Sequence, residues 1–311
     1  KKLFSVTTDG APAMLGKNVG FVKLLENWLE HPLLSFYCVI HEESLCAKVS
    51  AKQLTEVMSV VVKIVNIIVA RSSLIHRQFK EFLNEIEAEY GDLLLHTEIR
   101  WLSRGKVLNR FVSLIDAIQI FLIEIKENFP QLDDKLWLLK LRFLTDITNH
   151  FNEPYLRLQG NQHTILKLFE EWKSFGAKLQ LFESDIQTST FQYFPMTKFI
   201  GNEIDNSNLE MLINYVRNIK EDFSSRFDKL KSNGSMFSFI ICPDRMDEKD
   251  IDLAYFKFLQ IDKFSLEFID FKSSNIWQEK FKELRAELER TEANNLNLIA
   301  NCWSSFPPRF S

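Results

Sequence analysis

Positive charge is not in excess in this 311-residue chain: 38 Lys and Arg stand against 42 Asp and Glu, for a net charge of −4. A protein that coats polyanions with its whole surface is excluded, so nucleic-acid contact must come from a local basic patch. Glycine (9) and proline (8) are scarce, which disfavours short strands joined by tight turns and favours long helices. Only four cysteines occur, Cys38, Cys46, Cys242 and Cys302, without a CxxC pair. That excludes a disulfide scaffold and fits free thiols in a reducing compartment. Cys38 and His41 have metal-ligand spacing, but no second pair completes a structural zinc site. No apolar run reaches the about 20 residues of a membrane-spanning helix. The longest, Val57–Ala70, is interrupted by Ser59, Lys63 and Asn66. A phosphate-binding glycine loop, a nucleophile elbow, an HExxH pair, an internal repeat and a signal peptide are likewise missing. Opening inside a strand with no initiator Met, the chain reads as a fragment.

What is abundant is apolar: 46% of the residues, with 28 phenylalanines. That is enough for one large core or two modest ones. The N-terminal stretch Leu3–Ala11 and the later Phe36–His41 are rich in β-branched and aromatic residues and read as short buried strands. The first stops at Asp9, followed by Gly10 and Pro12. Between them Phe21, Leu24, Leu25, Trp28 and Leu29 recur at helical spacing, and Trp28 is expected to pack this helix on the sheet. Strand, helix, strand normally gives two parallel strands with a crossover helix, and ligands gather at the carboxyl ends of such strands. Asp9 and His41 are thereby placed at one sheet edge, where Asp9 could serve a metal or simply cap the following helix.

From there on the pattern is helical. Glu42 and Glu43 suit a helix first turn. Leu54, Val57, Met58, Val61, Ile64, Val65 and Ile68 form one apolar face, and Phe79, Phe82, Leu83 and Ile86 another within 73–88. Phe111, Val112, Ile115, Ile118, Leu122 and Ile125 predict a helix ending near Phe129-Pro130. Further helices are predicted over 133–152, 155–159, 163–182, 209–230 and, as the last, 275–288. Lys231–Ser235 reads as a loop and Met236–Cys242 as a strand or extended run stopped by Pro243. The acidic stretch Asp244, Asp247, Glu248, Asp250, Asp252 lacks the spacing of a calcium loop and reads as a solvated helix entrance. No Gly- or Pro-rich linker precedes Gly160.

The segment 96–110 differs from the rest. Arg100, Arg104, Lys106 and Arg110 follow one another with no acidic residue between Ile99 and Arg110, and Trp101 lies among them. Cations with an interleaved aromatic suit phosphate contact plus base stacking. A solvated helix start with a buried Trp accounts for the same residues.

Thr8-Asp9-Gly10-Ala11 with Met14, then Cys38-x-x-His41, then Arg100-Trp101-Leu102-Ser103, together resemble the hAT superfamily of DNA transposases. The likeness is nearest to the transposase-like region of the general transcription factor II-I repeat-containing proteins and the BED-type zinc-finger proteins. It runs through nearly the whole chain, densest up to about Leu158. The resemblance implies an α/β, helix-dominated fold: a partial RNase H-like sheet over 1–104, followed by a large all-helical insertion domain over 105–311. Asp9 then matches the second of three catalytic acids that hold two divalent metals in the family. Cys38 and His41 match its CxxH motif. Arg100 and Trp101 match an Arg-Trp pair near the active site, the Trp being associated with the DNA end.

The first acid of that set would lie upstream of Lys1, and the last downstream of Phe306-Pro307, in a segment that also carries dimerisation. A single carboxylate cannot hold two metals, so this stretch is expected to need no cofactor and not to transpose DNA. Mg²⁺ or Mn²⁺ would belong to a complete, active protein. The resemblance thus implies a domesticated or truncated transposase-like protein, nuclear, with DNA as partner through Arg100, Trp101, Arg104, Lys106 and Arg110, no membrane, and self-association through the downstream segment. Two alternatives are an active transposase whose other acids lie outside this stretch, and a protein-interaction scaffold with no DNA role.

Overall fold

The β-branched and aromatic residues at the N-terminus do form strands, β1 (Ser5–Thr8) and β2 (Leu34–Tyr37). The computed structural model describes residues 3, 5–38, 41, 46, 54–95, 101–158, 165–200, 204–232, 234–251, 263–290 and 295–306. Of the side chains in this range, those of 101–103, 155, 158, 165, 229–232, 295 and 296 fall outside the description. Glu42 and Glu43 therefore lie outside the described residues, as does Arg100.

Between the strands come the single turn α1 (Pro12–Leu15) and the crossover helix α2 (Phe21–Leu29). After β2 follow α3 (Thr55–Val65), which runs on into a wide turn over Asn66–Ala70, then α4 (Ser73–Glu85), α5 (Trp101–Ser113) and α6 (Ile115–Glu124). Next are α7 (Lys135–Leu158), α8 (Ile165–Gln187), the short α9 (Pro195–Lys198) and α10 (Asn206–Ser232). The last are α11 (Gly234–Ile241), α12 (Phe264–Lys272), α13 (Asn275–Arg290) and α14 (Asn295–Ser304). The protein is helix-dominated, with one small parallel sheet among the described residues.

The chain forms two compact units, each assembled from separate stretches: 1–42, 158–174 and 226–311 in one, 43–157 and 175–225 in the other. In the first unit β1 pairs with β2 in parallel, Ser5 opposite Leu34 and Thr8 opposite Tyr37. The connection needs close approach of backbone at Gly16 and Gly20, where the Gly20 N–H donates to the Gly16 carbonyl at 2.9 Å. A Cβ on Gly20 would lie 2.4 Å from the Gly16 nitrogen. Phe36 is buried and its ring lies 5.3 Å from that of Phe237 in α11.

Trp28 departs from expectation. It is 78% exposed, with Phe21 at 49% and Leu24 at 55%, whereas Val22 is buried. The apolar arc of α2 is wider than a two-stranded sheet can cover, so only the Val22 side of the helix is buried.

Met236–Ile241 also departs, being the helix α11 and not a strand. Its apolar residues, broken only by Ser238, are too few and too dense to show a period, and packing selects the helix. Gly234 at its start lies so close to Phe169 that a Cβ would come within 2.5 Å of the ring. Of the predicted loop before it, Lys231 and Ser232 continue α10, and Asn233 lies outside the described residues.

The acidic stretch is solvated at Asp247, Glu248 and Asp250, which are exposed, but not at Asp244, and Asp252 lies outside the described residues. It forms two 3₁₀ turns, Pro243–Arg245 and Glu248–Asp250, and Asp244 accepts both prongs of the Arg285 guanidinium at 2.6 and 2.8 Å. A helix follows the one predicted to be last: in α14, Trp303 donates its indole N–H to the Ile240 carbonyl at 2.8 Å.

In the second unit the expected faces are largely buried, Ile86 being the exposed exception. Val57, Met58, Val61, Ile64, Val65 and Ile68 are all inside, as are Phe111, Val112, Ile115, Ile118 and Leu122. The helix predicted to run unbroken through the latter set is split at Leu114. The helix predicted to stop before Pro154 continues through it as α7. Burial of Phe151 and Pro154 outweighs the cost of a proline inside a helix, about 3 kcal/mol.

Charge inside this unit is matched. Glu183 of α8 takes Arg217 at 3.2 Å and also Lys220, both from α10, and these cations hold its carboxyl below the usual range. Asp146 of α7 accepts from the Met196 N–H at 3.2 Å and from the Thr197 N–H and hydroxyl at 2.9 and 2.8 Å, so it caps α9 from outside. Burial nonetheless pushes its carboxyl up to about 6.

Candidate functional site

The parallel register brings the carboxyl ends of β1 and β2 together. The Cys38 N–H donates to the Thr8 carbonyl at 2.6 Å, extending the ladder by one step and placing Asp9 and Cys38 just beyond it on neighbouring strands. Asp9 is exposed, and its Oδ1 accepts from the Ala11 N–H at 3.0 Å. This closes a turn that Gly10 enters at φ 79°, a left-handed conformation suited to glycine. Proline at the first position of α1 follows, where its missing N–H costs nothing. Cys38 is a half-buried free thiol, and the His41 N–H donates to its carbonyl at 3.0 Å. His41 itself is exposed.

These donors do not make a two-metal centre. One oxygen of Asp9 is engaged by its own turn. Among the described residues no group of three or more His, Cys, Asp or Glu side chains gathers to hold a cation.

The basic segment lies in the other unit, on α5. Arg100 lies outside the described residues; Trp101 begins the helix, and its side chain is among those left out. At 100° per residue, Lys106 and Arg110 share one side of α5, while Arg104 lies 200° from Lys106. Lys106 is exposed and Arg104 and Arg110 are half-buried. Arg110 has a local partner: its guanidinium lies over the Tyr90 ring, 5.0 Å from the centroid, and Nη1 donates to the Asp92 carbonyl at 3.3 Å.

Asp92 is the residue that the spacing of cations did not reveal. Its carboxylate meets His76 Nε2 at 2.8 and 3.0 Å and Lys80 Nζ at 3.7 Å, and it accepts from the Leu93 N–H at 2.7 Å. It thereby links α4, the loop 90–95 and α5. The Tyr90-Gly91-Asp92 punctuation between two helices was the available signal.

The basic helix thus belongs to the helical unit, and Asp9 to the unit that holds the two parallel strands. Residues 37–187 match the family described as FAM200-GTF2IRD2-like, the FAM200/GTF2IRD2 helical domain. Similarity extends well past the domain. The chain is 32% identical over 289 residues to General transcription factor II-I repeat domain-containing protein 2 of Bos taurus, covering 91% of this chain and 29% of that protein. It is 30% identical over 314 residues to the protein of the same name from Mus musculus, covering 98% of this chain and 31% of that protein. The chain thus spans under a third of the length of these relatives. No solved structure matches.

Proposed function

We propose that this stretch is a domesticated transposase-like module of the hAT type, nuclear and associated with DNA in transcriptional regulation. On this reading β1, α2 and β2 are part of an RNase H-like sheet, and the helices from about residue 105 correspond to the insertion that interrupts such a sheet. The observation that carries it is the parallel unit that sets Asp9 and Cys38 side by side at the carboxyl edge, in a chain related to proteins named for general transcription factor II-I repeats. With no three-carboxylate set among the described residues, the module on this reading does not cleave or join DNA by itself. In a complete protein with further acids, Mg²⁺ or Mn²⁺ would be the metal and Asp9 one of its ligands.

DNA contact is assigned to the side of α5 that carries Lys106 and Arg110, with Arg100, Trp101 and Arg104 at or near its start. Fluorescence anisotropy with hairpin-ended and blunt duplexes over a salt series tests it. Binding should weaken with salt by about 0.9 in log–log slope for each phosphate neutralised. Lys106→Ala should flatten the slope by about one. Lys106 is the residue to change first, because Arg110 also holds Tyr90 and Asp92. No salt-dependent binding at low ionic strength would remove DNA as the partner. Metal-dependent cleavage that disappears in Asp9→Ala would overturn the view that the module is catalytically silent.

A further inference from the structure

The described C-terminal helices pack around Phe268, Phe271, Trp277 and Phe281, which are buried, but the cluster is not closed on every side. Phe239 of α11, Phe264 of α12, Trp303 of α14 and the following Phe306 line a cavity open to solvent, with Glu267 in its wall. The Phe239 ring lies 5.9 Å from that of Phe264 and 5.6 Å from that of Trp303, and Trp303 lies 5.3 Å from Phe306. The Trp303 indole is fixed from behind by its bond to the Ile240 carbonyl. Among the described residues that line the cavity, Glu267 alone is charged.

We infer that this cavity binds a methylated ammonium group, of the kind carried at the end of a methylated lysine side chain. Three features select that chemistry. Aromatic faces attract a cation, and one clothed in methyl groups sheds its water more readily than a bare ammonium. Glu267 supplies the counter-charge, whereas a neutral apolar guest would strip water from that carboxylate without replacing it. Size sets the third limit. The cavity is about 70 Å³, and one water needs about 10–15 Å³ on that scale. It therefore holds about five to seven groups of that size, enough for the five heavy atoms of a trimethylammonium head with its first methylene. The described residues of the lining include no lysine or arginine to meet a phosphate, so a methylated lysine suits it better than a phosphocholine.

The inference rests on this cavity alone and stands or falls independently of any contact with DNA. The test is a titration of the ¹⁵N-labelled chain, following the Trp303 indole N–H signal assigned by its loss in Trp303→Phe. The probes are N-acetyl-trimethyllysine amide, its unmethylated counterpart, phosphocholine and the neutral 3,3-dimethylbutanol. Trimethyllysine should shift the signal saturably, with affinity about tenfold above that of unmodified lysine and the neutral alcohol. Glu267→Gln should weaken binding severalfold while leaving the spectrum otherwise folded, and Phe264→Ala should abolish the shift. No saturable shift overturns the proposal. Equal binding of the neutral alcohol overturns the role of charge, and equal or tighter binding of phosphocholine overturns the assignment to lysine.

Discussion

The side-chain amides of Asn109 and Asn149 hydrogen-bond to each other in both directions, Asn109 Nδ2 to Asn149 Oδ1 at 2.8 Å and Asn149 Nδ2 to Asn109 Oδ1 at 2.9 Å. The pair joins α5 to α7, and one turn earlier Gly105 lets the two helices approach until a Cβ would lie 2.1 Å from Asn152 Nδ2. Two half-buried amides that satisfy each other fix the helix register more strictly than apolar contacts could. Asn109→Ala should cost about 1–3 kcal/mol, because it strands the Asn149 amide. Asn149→Ala should do the same, and the double variant should cost less than the sum. Urea denaturation of the four proteins measures the coupling; strict additivity would show that the pair is not an energetic unit.

The Asp244–Arg285 pair should behave as a desolvated ion pair. The two side chains are only 10% and 15% exposed, and Arg285 also donates to the Ile241 carbonyl at 3.3 Å. Arg285→Ala is expected to destabilise by about 3–5 kcal/mol, since it leaves a buried carboxylate unmatched. Arg285→Lys should recover part of this but not the two-pronged geometry. The thermal midpoints of the three proteins give the order.

Asp146 and His150 lie one turn apart on α7 and should pull acid stability in opposite directions. Burial raises the Asp146 carboxyl to about 6 from 3.8, so the fold holds that proton more tightly than the unfolded chain does. Stability from this group is therefore gained as pH falls through 6 and levels off below about 4. Burial lowers the His150 imidazole, which is stacked on Phe182 at 4.1 Å, so its contribution is present above its ordinary value of 6.5 and lost on acidification. Asp146→Asn should leave the histidine unopposed and make stability fall more steeply between pH 7 and 5. His150→Gln should do the reverse. Denaturation midpoints at pH 7, 6 and 5 decide this, and identical pH profiles for all three proteins would contradict both assignments.

On the crossover helix, exposure reverses the order expected from size. Trp28→Ala should change stability by no more than about 0.5 kcal/mol, as surface changes do. Phe36→Ala, at a residue 8% exposed and packed on Phe237, should cost about 3–5 kcal/mol. Paired unfolding curves are sufficient.

Periodicity made most of this architecture legible. The strand–helix–strand start, the buried stripe of α3 and the face of α10 that buries Leu212, Val216, Ile219, Phe223 and Phe227 follow from spacing alone. Spacing could not reveal what depends on a partner remote in sequence. Asp244 looks solvated until Arg285, 41 residues on, is brought to it. Met236–Ile241 is apolar but for Ser238, so helix and strand were equally compatible until Phe169 and Phe36 packed against this segment. Trp28 marked the right helix but the wrong face, because periodicity finds an apolar arc and cannot say how much sheet is there to cover it. At the candidate site, strand order put Asp9 at the carboxyl edge with His41 as the expected neighbour, whereas the register sets Cys38 next to it. The division of the cations around α5 followed from helical angle, which a count of charges ignores. The tie between Arg110 and Asp92 needed the fold.

The two-stranded sheet has a consequence for the protein in concentrated solution. Among the described residues each strand is paired along one side, so β1 and β2 each present a second row of amides and carbonyls to whatever approaches. Such a row is a template for another extended chain, and the exposed Phe21, Leu24 and Trp28 beside it would gain from the same encounter. The N-terminal strands and the exposed side of α2 should therefore contribute to the colloidal behaviour of the chain. A charge at Val6 or Leu24 should raise the concentration at which the chain begins to associate, with little change in its melting temperature.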